Sequence, residues 1–275
     1  MESDNLAVVY PVAGLSSRFG GGMKWLVKVG PNGESLVEYS MNQALKVGFN
    51  KIIFVVGSQT EKVFKKLFGD SYKGISICYA FQEFDKESRD KPWGTTDALF
   101  AAKDLIDCPV VYCNADDLYG EKSFEILAEH LKNNTEENAT LGYRLEDVVP
   151  EEGSVNRAIF NVDEDNYLTD LKEVLNIEKD KLEEKGLTLD NLVSMNIFAF
   201  FPETIDKLGE ELARFKEENK GNRTAECLLP ESVSNLIKQG EIKMKLYPTP
   251  EKWYGITNPE DEEIVRRALS EDGKD

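Results

Sequence analysis

Histidine is almost missing from this chain: His130 is the sole one among 275 residues. A Ser–His–Asp triad or a multi-histidine metal site would have to be built on that residue, so the scarcity argues against both. Long apolar runs are missing as well. The longest, residues 52–56 and 197–201, are strand-sized and far below the roughly 20 residues of a membrane helix. Residues Met1-Glu2-Ser3-Asp4-Asn5 lack the basic and apolar regions of a signal peptide, which predicts a cytoplasmic protein with no membrane association. No cysteine pair has CxxC spacing, and Cys78, Cys108 and Cys113 lie in or beside apolar strand-like runs; with Cys227 they predict reduced, buried thiols. Cationic excess is also absent. Lysine and arginine total 33 against 51 aspartates and glutamates, a net charge of −18, which excludes a polyanion groove and hence a nucleic-acid partner. Small anionic ligands remain open, because they need only a locally basic pocket.

What is present is an alternation of short β-rich runs with helical periodicity. Residues 6–10, 51–56, 75–79, 109–113 and 139–143 read as strands. Between them, Val37, Met41, Ala44 and Leu45 fall at helical spacing, with Ser35 and Glu38 placed as a capping box. Residues 61–68 form a second helix; Ala98, Leu99, Ala102 and Leu105 mark another, and Phe124, Leu127, Ala128 and Leu131 the next. This alternation predicts an α/β fold of three α/β/α layers around a mixed, mostly parallel twisted sheet. Residues 157–162, 167–171 and 193–201 read as strands with fewer helices between them, and residues 176–190 as a charged excursion. One continuous domain, 1–275, follows, with an α/β first half, residues 1–145, and a smaller strand-rich second half, residues 146–275.

The first strand runs into residues 11–24, Pro-Val-Ala-Gly-Leu-Ser-Ser-Arg-Phe-Gly-Gly-Gly-Met-Lys. Small residues let backbone N–H groups approach phosphate oxygens, and the hydroxyls of Ser16 and Ser17 add hydrogen bonds. Arg18 supplies a planar fork for phosphate and Lys24 a mobile point charge. Further on, Asn114-Ala115-Asp116-Asp117 follows a strand, where open α/β sheets bind ligands and where carboxylate oxygen suits Mg²⁺. Two adjacent aspartates are equally common in a solvated turn.

The glycine-rich segment resembles the signature of the nucleotidylyltransferases that activate sugar phosphates, roughly G-x-G-[ST]-R followed by a lysine. Gly14, Ser16, Ser17, Arg18 and Lys24 fill that pattern, with Ser16 where a second glycine is usual and Met23 where a proline often stands. The resemblance implies a nucleotide-diphospho-sugar transferase-like fold. It also implies transfer of a nucleoside monophosphate from a triphosphate to a sugar 1-phosphate or similar phosphorylated acceptor, with release of pyrophosphate. It assigns Arg18 and Lys24 to catalysis and Asp116 to Mg²⁺, with Asp117 turned elsewhere by strand alternation. Ala13, Gly14, Ser16, Ser17, Gln82, Gly94 and Thr95 are assigned to the nucleotide, with Thr95 also placed to cap the helix it opens. Glu173 and Asn196 go to the acceptor. Many relatives carry W-x-D where this chain has Trp253-Tyr254-Gly255, so the second metal carboxylate is replaced by glycine; Glu226 and Asp261 are substitutes by sequence. Two rival readings remain: a nucleotide-sugar-dependent glycosyltransferase, and a catalytically silent nucleotide- or sugar-binding homologue.

Overall fold

The computed structural model describes residues 5–14, 23–133, 136–256 and 261–272. Its strands are β1 (Ala7–Pro11), β2 (Lys51–Val56), β3 (Ser71–Tyr72), β4 (Ile75–Phe81), β5 (Val110–Tyr112), β6 (Asp117–Leu118), β7 (Asn138–Arg144), β8 (Val155–Val162), β9 (Leu168–Ile177), β10 (Leu192–Phe200), β11 (Met244–Pro248) and β12 (Tyr254–Gly255). The helices are α1 (Leu36–Lys46), α2 (Glu61–Phe68), α3 (Thr95–Ala101), α4 (Glu121–Asn133), α5 (Leu145–Val148), α6 (Pro202–Glu218), α7 (Leu229–Lys238) and α8 (Asp261–Asp272).

The main sheet runs in the order β11-β7-β10-β5-β1-β2-β4-β3, and β8 leaves it from β10 to pair with β9. Strands β11, β7, β5, β1, β2 and β4 point the same way, with β10 and β3 against them, so the sheet is mixed and mostly parallel as expected. Strand alternation sorts the core. Val8, Tyr10, Ile52 and Phe54 face α1, α2 and α4, while Ala7, Val9, Ile53 and Val55 face α3, α6 and α7. A third, smaller cluster joins Leu36 and Leu118 to Ile256 and to Val265 and Leu269 of α8. The chain winds outward from β1 to β2 and β4, then returns to β5 on the other side of β1. A crevice therefore opens at the carboxyl ends of β1 and β5, where the direction of winding reverses.

Local signals fix several elements. Ser35 and Glu38 form the expected capping box at the start of α1. All four cysteines are free thiols, and Cys108, Cys113 and Cys227 are buried. His130 is also buried, its Nδ1 3.0 Å from the Tyr247 hydroxyl and its Nε2 2.6 Å from the Glu137 carbonyl, so it braces α4 against β11. Burial, only partly offset by the Glu137 carbonyl, holds its pKa below the usual imidazole value. The unfolded chain therefore binds the proton first as pH falls. Stability should be full above about pH 6.5 and decline below it. Urea midpoints between pH 5 and 8 should show a smaller acid loss in His130→Gln than in the wild type; parallel curves would remove His130 as the cause.

Candidate active site

Three segments meet at the crevice. Lys24 opens a short 3₁₀ turn, Lys24–Leu26, anchored by Trp25, whose buried ring packs edge-on against Phe64 at 6.0 Å. This anchoring swings the Lys24 ammonium onto the Asp116 carboxylate, with which it forms an ion pair. Asp116 lies in the turn after β5, and its carbonyl accepts from the Ile256 N–H at 3.3 Å, tying that turn to the end of β12. Arg18, Ser16 and Ser17 lie outside the described residues.

Asp117 does not turn away from Asp116, contrary to the alternation argument. Residue 116 is in a turn rather than a strand, so the period of two does not apply, and both side chains line one cavity of about 980 Å³. The Asp117 carboxylate accepts from Asn114 Nδ2 at 2.9 Å and from the Tyr119 hydroxyl at 3.2 Å. Burial, then the neighbouring Asp116, push its pKa up to about 7 against those hydrogen bonds and Lys24. Asp116 is the more accessible of the two.

Gly255 lies directly across the β6–β12 pair from Asp117. A β-carbon there would meet the Trp253 ring and would lie 2.7 Å from Asp117 Oδ1, so the space is already filled. Of the two substitute carboxylates, Asp261 lines the same cavity, whereas Glu226 is ion-paired with Lys91 and is not on its wall. Restoring a carboxylate by Gly255→Asp should therefore fail. It is expected to cost about 1–3 kcal/mol by overpacking and to lower whatever activity is present. A variant with unchanged melting temperature and raised activity would contradict this account.

Glu173 and Asn196 stand on the same cavity wall as Asp116. Glu173 is opposite Ala158 on the β8–β9 ribbon, and burial, followed by Glu231, raises its pKa. Asn196 sits where the β10–β7 register shifts and adopts φ 60°, a left-handed conformation that asparagine tolerates better than most residues. The structure thus brings Lys24, Asp116, Glu173 and Asn196 to one cavity and its edge, together with Arg157, to which sequence reasoning gives no role.

The remaining nucleotide residues lie elsewhere along the strand ends. Ala13 follows β1, its carbonyl close to Gly57 after β2, and Gly14 is exposed. Gln82, buried after β4, donates from Nε2 to Asp97 at 2.8 Å and to the Gly94 carbonyl at 3.2 Å. Gly94 takes φ 100°, and a β-carbon there would strike the Cys227 backbone, so its glycine is accounted for by chain packing. Thr95 does not cap α3. Its hydroxyl accepts instead from the Leu229 N–H at 2.8 Å, serving the start of α7. The segment before them is braced rather than loose: Arg89 stacks on Trp93, 3.3 Å from its ring centre, and Arg223 pairs with Asp90 at 2.7 Å.

Among the described residues no group of three or more histidine, cysteine or acidic side chains is placed to hold a metal. A carboxylate-only donor set of one or two residues suits Mg²⁺, which keeps several waters and takes substrate phosphates as ligands. No helix among the described residues is long and apolar enough to cross a membrane.

Comparison with known proteins gives the family and relatives of similar fold. The bifunctional protein GlmU of Oceanobacillus iheyensis is 25% identical over 248 residues, which are 87% of this chain and 48% of GlmU; the chain spans about half the length of that relative. In fold, the chain is similar to the inositol-1-phosphate CTP transferase of T. maritima, with a TM-score of 0.67, 15% identity and coverage of 98% and 96% of the two chains. It is also similar to a UDP-glucose pyrophosphorylase solved with UDP-glucose, with a TM-score of 0.66, 15% identity and coverage of 97% and 98%. The model of the nucleotidyl transferase family matches residues 21–261, from just before Lys24 to the first residue of α8, and the chain belongs to that family.

Proposed function

We propose that this protein transfers a nucleoside monophosphate from a nucleoside triphosphate to a sugar 1-phosphate or a similar phosphorylated acceptor, with Mg²⁺, releasing pyrophosphate. The observation that carries the reading is the contact of Lys24 with Asp116 at the edge of a cavity that also holds Glu173 and Asn196. In this reading Lys24 is the phosphate-binding cation, Asp116 the metal-binding carboxylate, and Glu173 and Asn196 the groups that bind a polyol. The names of the two structural relatives, which pair a nucleotide with a phosphorylated polyol or sugar, support the same substrate class.

The chemistry needs no imidazole. An acceptor phosphate oxygen is already anionic at neutral pH and attacks the α-phosphorus directly, forming the new P–O bond as the bond to pyrophosphate breaks. The protein aligns the two phosphates and stabilises the negative charge that gathers on the departing oxygen. Lys24 contributes a mobile ammonium to the reacting phosphates, and Arg18 a guanidinium to the triphosphate. Asp116 would hold Mg²⁺, and Asp117 and Asp261 line the same cavity. When bound, the ion supplies charge neutralisation to the phosphate oxygens. Glu173 and Asn196 would orient acceptor hydroxyls.

A matrix of triphosphates against phosphorylated acceptors, read as pyrophosphate release, tests the reading directly. No pyrophosphate from any pair, at any Mg²⁺ concentration, would reject it. Gly255 favours one rival, a silent homologue, which predicts nucleotide binding without turnover in that matrix. A nucleotide-sugar-dependent glycosyltransferase would instead consume a nucleotide sugar and release no pyrophosphate.

A further inference from the structure

Arg157 is a cation in the wrong surroundings. The large cavity is walled by Asp116, Asp117, Asp147, Glu152, Glu173 and Asp261, and Arg157 is the one basic side chain among its described lining residues. It projects from β8, opposite Val174 on β9, and its guanidinium lies 5.5 Å from the centre of the Trp253 ring. Two donors are used by carbonyls: Nη1 reaches Asn156 at 3.0 Å and Nη2 reaches Val148 at 3.3 Å. Nε is buried and has no hydrogen-bond partner among the described residues. Among the described residues the guanidinium forms no ion pair, although Asp117 and Glu173 are near enough to favour its charge. Burial works against that charge.

A guanidinium stays protonated in proteins, and a buried charge is normally paired. Here the half-buried charge lines a cavity and keeps donors beyond the two carbonyl bonds. Neither Asp117 nor Glu173 closes an ion pair with it; its described contacts are two carbonyls and the Trp253 ring. Lys24 and, by sequence, Arg18 follow β1 and are the cations assigned to the triphosphate and the reacting phosphates. A second phosphorylated substrate entering an acid-walled cavity needs a cation of its own. A planar fork suits a phosphate monoester by paired N–H donation.

Building on the nucleotidyltransferase reading, we propose that Arg157 is the anchor for the acceptor's phosphate monoester, held in place by Trp253. The acceptor would then lie with its phosphate toward β8 and β6 and its hydroxyls toward Glu173 and Asn196.

Wild-type, Arg157→Gln and Arg157→Lys proteins should be compared in pyrophosphate release, with each substrate varied in turn. Losing a hydrogen-bonded charge should raise the acceptor KM about 10- to 100-fold and leave the triphosphate KM within about twofold. Arg157→Lys should recover part of the loss, because the charge returns without the fork. A parallel ³¹P NMR titration with inorganic phosphate should show binding weakened at least about tenfold in Arg157→Gln but retaining an Arg157-dependent site in Lys24→Ala. An unchanged acceptor KM with reduced kcat, or a lysine variant no better than glutamine, would make Arg157 a loop brace only and overturn the proposal. If no substrate pair turns over in the wild type, the transferase reading fails by itself, and the titration still decides. Arg157-dependent phosphate binding upholds the anion site; equal binding in wild type and Arg157→Gln, or none in either, removes it.

Discussion

Replacing Lys24 by alanine is expected to slow pyrophosphate release by about 10²–10³-fold, the usual cost of removing one preorganised charge from a site of developing negative charge. The fold should survive. Lys24 is about one-fifth exposed, its single described ion pair is with Asp116, and the turn that carries it is fixed by Trp25 rather than by the ammonium. A change of about 1 kcal/mol or less in unfolding free energy is expected, within the range of partly solvated ion pairs. Arg18→Ala should give a comparable loss of turnover, because two cations on one triphosphate act as a set. Steady-state kinetics of both variants, beside thermal melts, make the comparison. Wild-type turnover in either variant would detach that residue from the chemistry, and a melt far below wild type would reassign it to folding.

Asp116→Asn should abolish turnover to a similar degree, about 10²-fold or more, by a different route. The amide keeps the shape and one acceptor oxygen but loses the charge that pairs with Lys24 and that the proposed Mg²⁺ site requires. The useful readout is therefore not rate alone. Mg²⁺ together with a triphosphate should raise the melting temperature of the wild type, and this stabilisation should shrink sharply in the variant, as linkage requires of a ligand that binds only the folded state. Asp117→Asn should behave differently in stability. Its carboxylate is buried against Asn114 and Tyr119 and already disfavoured as an anion by burial. Neutralising it removes little favourable charge from the fold. If Asp116→Asn retained full Mg²⁺-dependent stabilisation, the metal would have to be held elsewhere on the cavity wall, with Asp261 the next carboxylate to examine.

Much of the fold could be read from periodicity. Residues 51–56 are a strand with the expected bounds, and 61–68 a helix with the expected bounds, because a buried parallel strand and an amphipathic helix each carry their own period. Strand β11 and helix α7 could not be read that way. The segment Met244–Pro248 ends in a proline and becomes a strand only because the edge of β7 offers it partners. Leu229–Lys238 is a short helix with proline at its first turn, and its start is served by a hydroxyl from Thr95, far away in sequence. The boundary between the two sequence halves does not divide the sheet: β10, from the second half, is inserted between β5 and β7 of the first.

The sequence by itself determined the chemistry available to this protein: one histidine, an acidic surface, a small-residue loop bearing Arg18 and Lys24, and a strand-end Asp116. These are local facts, written in residue type and spacing. Tertiary structure decided which groups meet. It placed Lys24 on Asp116, filled the space beside Gly255 with Trp253 and Asp117, turned Thr95 to α7, and left Arg157 half-buried in the wall of an acidic cavity. Little of that follows from spacing, because the Lys24–Asp116, Gly255–Asp117 and Thr95–Leu229 contacts each join elements far apart in the chain. Whether a side chain is solvated, paired or left facing a cavity depends on the partner the fold delivers.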